Sequence, residues 1–140
     1  MTPKLHPAPD VSKHRVSGYL ISAVWIFHGL YSKLLEGNPR HRLIVGRILG
    51  EDIAAPATVI VGLLEIALGI WILTGRKKVA CAVVQTAAIT AMNTLEISLA
   101  PDLLISAPGM VALNVAFLAI VWRWALALSP ADPSAKVRRQ

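Results

Sequence analysis

Apolar residues in this chain gather into long runs separated by short charged breaks, rather than recurring at the spacing of a water-soluble helix. The run from Pro56 to Gly75, PATVIVGLLEIALGIWILTG, is the most continuous. With about 20 residues rising roughly 1.5 Å each, it is long enough to cross some 30 Å of hydrocarbon. Further runs occupy Val16–Leu35, Val79–Ala100 and Ala107–Leu128. Together they predict an all-α integral membrane four-helix bundle over residues 16–128, between a polar tail at 1–15 and a basic tail at 129–140. The first run differs from a signal peptide: it is long and ends in YSKLLEG, with no small-residue cleavage pattern.

The breaks carry their own signals. Gly37, Asn38 and Pro39 end the first helix and open the charged connection EGNPRHRLIVGRILGEDIAA. Within it Leu43, Ile44, Ile48 and Leu49 can share one side, with Arg40, Arg42 and Arg47 on the rest. That pattern fits a short helix in the membrane interface, and a solvated loop fits it equally. The turn Arg76-Lys77-Lys78 separates the second and third runs, and Pro101-Asp102 closes the third. Ser106 is placed to cap a fourth helix with Pro108 in its first turn.

Composition supports the membrane assignment. Of 140 residues 55% are hydrophobic and 16% charged, with a mean hydropathy of +0.59, few charges for a water-soluble domain. The net charge of +6 does not point to nucleic acid, because the basic residues sit at the ends of apolar runs, where they act as topology signals. Cys81 stands alone, which excludes an intramolecular disulfide or a CxxC pair and leaves it a packing role. With four crossings both termini share a side. That side would hold Lys4, Lys13, Arg15, Arg76, Lys77, Lys78, Arg123, Lys136, Arg138 and Arg139, against Lys33, Arg40, Arg42 and Arg47 opposite. Ten against four places both termini in the cytoplasm. Trp71, Trp122 and Trp124 then fall at the cytoplasmic ends of helices two and four, as an aromatic belt should.

Polar residues inside the runs are the candidates for function, since each is costly in lipid unless it faces the protein interior. Thr58, Gly62, Glu65 and Gly69 fall at i, i+4, i+7 and i+11, one stripe whose glycines admit a close neighbouring helix and turn Glu65 inward. Converted to depth, His28, Lys33, Asn93, Glu96 and Asn114 lie in the outer half with Glu65 at the midplane, and Gln85 lies alone in the inner half. Gln85, Ile89, Met92, Asn93 and Glu96 share one face of the third helix. The expectation is a polar pocket open to the outer face, with Glu65 at its floor and His28, Asn93, Glu96 and Asn114 in its wall. Two readings of Glu65 stay open: a structural lock with His28 or Lys33, or a ligand or proton site. Asn93 and Asn114 suit a hydrogen bond between helices; Lys33 and Arg123 can snorkel; Trp25 suits either the core or the lipid face. One histidine and two glutamates share no ligand-type spacing, so no metal site is expected.

The segments WIFHGLYSKLL, GLLEIALGIWILTG and MNTLEISLAPDLL, in that order, resemble the DoxX-like family of small four-helix bacterial membrane proteins. The resemblance runs from Gly18 to Trp124 and marks His28, Lys33, Glu65, Asn93 and Glu96 as characteristic positions. It implies a multi-pass protein of the bacterial inner membrane. The family takes its name from a subunit associated with thiosulfate:quinone oxidoreduction, so the resemblance also suggests quinone binding or anchoring of a membrane redox partner. The residues themselves offer no catalytic motif and no cofactor loop, which argues against an enzyme acting alone. They leave three functions: a quinone or lipid site in a larger membrane system, a proton-coupled transporter working as a homo-oligomer, and a structural or assembly factor without ligand. A transporter calls for a polar path through both leaflets, and Gln85 is all the inner half supplies.

Overall fold

The computed structural model describes residues 11–127, and every regular element among them is helical. The expected tail segments 1–10 and 128–140 lie outside the described residues. Helix α1 spans Val11–Phe27 and passes without a break in helical backbone, φ −62° and ψ −46° at Phe27, into a π-helical segment, His28–Leu34. Helices α2 (Pro39–Leu49), α3 (Glu51–Thr74), α4 (Lys78–Leu99) and α5 (Ala107–Leu126) follow, with a 3-10 turn at Pro101–Leu103. Helices α3, α4 and α5 are each long and apolar enough to cross a membrane. The remaining expected crossing falls on α1 and the π-helical segment. Apolar side chains on the outer surfaces are widely exposed, Leu113 at 73% and Leu64 at 65% among them, an arrangement suited to lipid and unsuited to water.

Packing joins the elements as antiparallel partners. Helix α1 and its π-helical extension lie along α3, and α4 lies along α5; α2 folds back over α3 at the end where α4 terminates. Between the pairs sit Ile21, Trp25, Leu68, Ile72, Cys81, Ile89, Val121 and Trp124, the buried apolar core. Trp25 is a core residue. Its ring meets Phe117 of α5 edge-on at 6.3 Å, and its indole N–H donates to Gln85 Oε1 of α4 at 2.8 Å.

Two helix starts differ from the sequence expectation, and the charged connection takes the helical one of its two readings. Helix α1 begins at Val11 rather than Val16. The charged connection is helical, capped by the Asn38 side chain, which accepts from the Arg40 N–H, and opened by Pro39 in its first turn. Helix α3 begins at Glu51, five residues before Pro56. Proline removes a single backbone bond that close to the helix start, and Glu51 and Asp52 favour the positive end of the helix dipole. The corner between α2 and α3 is one residue, Gly50, at φ +99°, a conformation that L side chains resist.

Candidate functional site

The glycine-bearing stripe of α3 is what brings α1 close. Thr58, Gly62, Glu65 and Gly69 are all buried. A Cβ on Gly29 would strike the Gly62 carbonyl oxygen, and one on Gly62 would strike Leu34. Ser22 donates its hydroxyl to the Gly69 carbonyl at 2.8 Å, pinning the same contact further along. Backbones this close let a side chain from one helix reach inside the other.

Lys33 does so. It comes from the last turn of the π-helical segment, where the Leu35 N–H bonds five residues back to Leu30 at 2.9 Å. The wider turn belongs to a class that recurs at functional sites. Lys33 Nζ lies 2.6 Å from Glu65 Oε1, and both residues are nearly sealed from solvent, at 6% and 5% exposure. Of the two partners open to Glu65, the structure selects Lys33. The other carboxylate oxygen, Oε2, is buried with no hydrogen-bond partner. An orphaned acceptor of this kind costs about 1–3 kcal/mol, more when charged.

A pocket of about 350 Å³ opens beside the pair, lined by Ser32, Lys33, Thr58 and residues of the α2 region including Asn38, Arg42 and Glu51. The wall therefore differs from the expected one. Lys33 lines it; Glu65 stands behind Lys33, and His28, Asn93, Glu96 and Asn114 are not in its lining. Glu96 lies within Coulomb range of both Lys33 and Glu65, and His28 within range of the same two. Asn114 donates to Asn93 Oδ1 at 2.8 Å, joining α5 to α4. Gln85, the inner-half exception, is held between Trp25 and the Cys81 sulfur at 3.5 Å.

The α2 region supplies side chains that hydrophobic patterning had left unassigned. Arg42 pairs with Glu36 at 3.2 Å across the mouth, and Glu51 folds its carboxylate against Gly46. His41 rests edge-on to His28 at 6.4 Å. Burial first, then the charges of Lys33, His28 and Arg40, push His41 down to about 4, so it is neutral at neutral pH. Among the described residues no group of three or more His, Cys, Asp or Glu could hold a metal ion. What the arrangement offers is a buried cation at a pocket wall, backed by a carboxylate with one acceptor to spare.

The family model for DoxX-like proteins matches residues 22–122, from the Ser22 contact with α3 to Trp122 in the last turns of α5. The chain belongs to the DoxX-like family. The matched span contains the glycine stripe, the Lys33–Glu65 pair and all of α2, so the whole site lies within DoxX-like sequence. No curated protein and no solved structure matches the chain.

Proposed function

We propose that this DoxX-like protein crosses the bacterial cytoplasmic membrane four times, with α1 and its π-helical extension as the first crossing and both termini cytoplasmic. Its pocket beside α2 takes the polar head of a small amphiphile, a quinone or a lipid, within a larger membrane system. The observation that carries this reading is the buried Lys33–Glu65 pair with one carboxylate oxygen unpartnered, its lysine lining a pocket. Lys33 has donors to offer a ligand carbonyl or phosphate oxygen. Glu65 orients the Lys33 side chain, and Oε2 accepts a hydroxyl that reaches past it. Leu43, which lines the pocket, and Val59, next to Thr58 in α3, expose apolar side chains that suit a ligand tail.

One observation favours a second reading, a helix lock without ligand: the close approach at Gly29 and Gly62 encloses the pair almost completely. The two readings separate on full-length protein purified gently and analysed by quinone and lipid mass spectrometry. The informative variant is Lys33→Met/Glu65→Leu, because replacing both members of a buried pair with apolar residues preserves stability where removing one does not. The ligand reading expects a molecule enriched on wild type and lost from this folded double variant. Equal loads on both proteins, or none above bulk lipid on wild type, would leave only the lock. A transporter reading gains nothing from Gln85, whose amide is engaged at both ends.

A further inference from the structure

Charge divides unevenly between the two ends of the helices. Among the described residues, Glu36, Glu51, Asp52 and Asp102 all lie at the α2 end, and Glu65 and Glu96 lie within α3 and α4. The opposite end carries Arg15 at the start of α1, Arg76, Lys77 and Lys78 at the α3–α4 turn, and Arg123 in the last turn of α5, with no carboxylate among the described residues.

A second, shallower pocket of about 310 Å³ opens there between the α3–α4 turn and the end of α5. Lys77 and Lys78 supply its charge, and Ala80, Ala125 and Ala127 form a floor of small apolar groups. The turn that holds the lysines is fixed. Gly75 and Lys77 take left-handed conformations, at φ +62° and +49°, and the Trp71 indole donates to the Arg76 carbonyl at 3.0 Å. Thr74 Oγ1 accepts the Arg76 N–H at 3.3 Å. Lys78 Nζ stands 5.6 Å above the Trp124 ring, a contact that orients the ammonium without neutralising it. Directly along α4 from this cationic rim, Val79 and Val83 turn apolar side chains outward. Cations above an exposed apolar wall match an amphiphile with an anionic head, whereas a free phosphate would use only the rim.

We infer that the α3–α4 turn and the end of α5 form a binding site for the head group of an anionic phospholipid, distinct from the pocket beside α2. Lys77 and Lys78 hold the phosphate, Arg76 and Arg123 add to the local potential, and the acyl chains lie along α4. Basic clusters at the ends of membrane helices gain roughly 1 kcal/mol per side chain from anionic lipid, so losing two lysines should lower affinity by about tenfold or more.

Native mass spectrometry of the full-length protein, titrated with phosphatidylglycerol or phosphatidylcholine of the same acyl chains, tests this. Wild type should bind phosphatidylglycerol about tenfold more tightly. Lys77→Gln/Lys78→Gln should lose that preference, and Lys78→Gln alone should lose part of it should the double variant fail to fold. Arg40→Gln/Arg47→Gln, with the same charge change at the far end, should keep it, as should Lys33→Met/Glu65→Leu. Failure here therefore leaves the reading of the α2 pocket untouched. Equal binding of both lipids to wild type, an undiminished preference in the lysine variants, or equal loss in the Arg40/Arg47 variant would overturn the site. Displacement of the lipid by millimolar inorganic phosphate would reassign it to a soluble anion and overturn it too.

Discussion

Glu65 shows how a single side chain divides stability from function. With Lys33 at 2.6 Å and both buried, removing one charge strands the other, at a cost of about 3–5 kcal/mol. Glu65→Gln and Lys33→Met should each lower the melting temperature in detergent clearly, and the Lys33→Met/Glu65→Leu variant should recover most of the loss. A double variant no more stable than the singles would mean the pair is not the main contact there. Glycine at 29 is equally constrained, because an added methyl meets the Gly62 carbonyl oxygen. Gly29→Ala should destabilise by about 1–3 kcal/mol through overpacking, read as the shift of a thermal unfolding curve. His41 adds a pH dependence. Its folded value near 4 lies below the ordinary histidine value of 6.5, so the unfolded chain binds the extra proton first as pH falls. The stability tied to a neutral His41 is complete above about 6.5 and is lost as pH falls toward 4. The difference between wild type and His41→Gln melting curves should change across that window and stay flat above it.

At the scale of elements, α2 is held as a cover over the pocket end of α3. Its one-residue corner at Gly50 fixes one side, and Arg47 grips Asp102 of the 3-10 turn at 3.1 and 3.3 Å on the other. Both partners of that grip are exposed, and such pairs contribute no more than about 1 kcal/mol. Arg47→Ala should therefore leave the global melting temperature within a degree or two while speeding amide exchange across Pro39–Leu49. A large drop in melting temperature would show that α2 is integral to the fold rather than a cover. The sequence carries the two sides of α2 only in part: Ile44 is buried, while Leu43 and Leu49 from the same expected stripe are exposed. A short helix folded back by a glycine corner presents its neighbour with a narrower face than hydrophobic patterning alone suggests. The choice of Lys33 over His28 was likewise hidden, because a π-helical turn shifts angular position by an amount that α-helical spacing does not encode. Helical periodicity, by contrast, made the stripe Thr58-Gly62-Glu65-Gly69 legible, since every one of its positions obeys regular α geometry.

For the whole molecule, long apolar runs were enough to place α3, α4 and α5, and the chain's DoxX-like membership agrees with them. Pairings far apart in sequence were not. Trp25 with Gln85 joins α1 to α4 across 60 residues, and nothing in local spacing selects an indole as the partner of a buried amide. The charge asymmetry, ten basic residues against four, argues for cytoplasmic termini. A green fluorescent protein fused at the C-terminus should fluoresce and an alkaline phosphatase fused there should be inactive; the reverse pair of results would invert the molecule. An amphiphile held in the pocket at Lys33, as we propose, should stabilise the fold. The most direct measurement is the melting temperature of wild type and Lys33→Met/Glu65→Leu with and without a short-chain quinone analogue. Ligand at about 100 times its dissociation constant stabilises by roughly 2.7 kcal/mol. Wild type should rise by several degrees while the double variant, folded and of similar stability without ligand, should not move. Equal rises in both proteins, or none in wild type with either quinone or lipid analogues, would mean that the pocket at Lys33 holds no amphiphile.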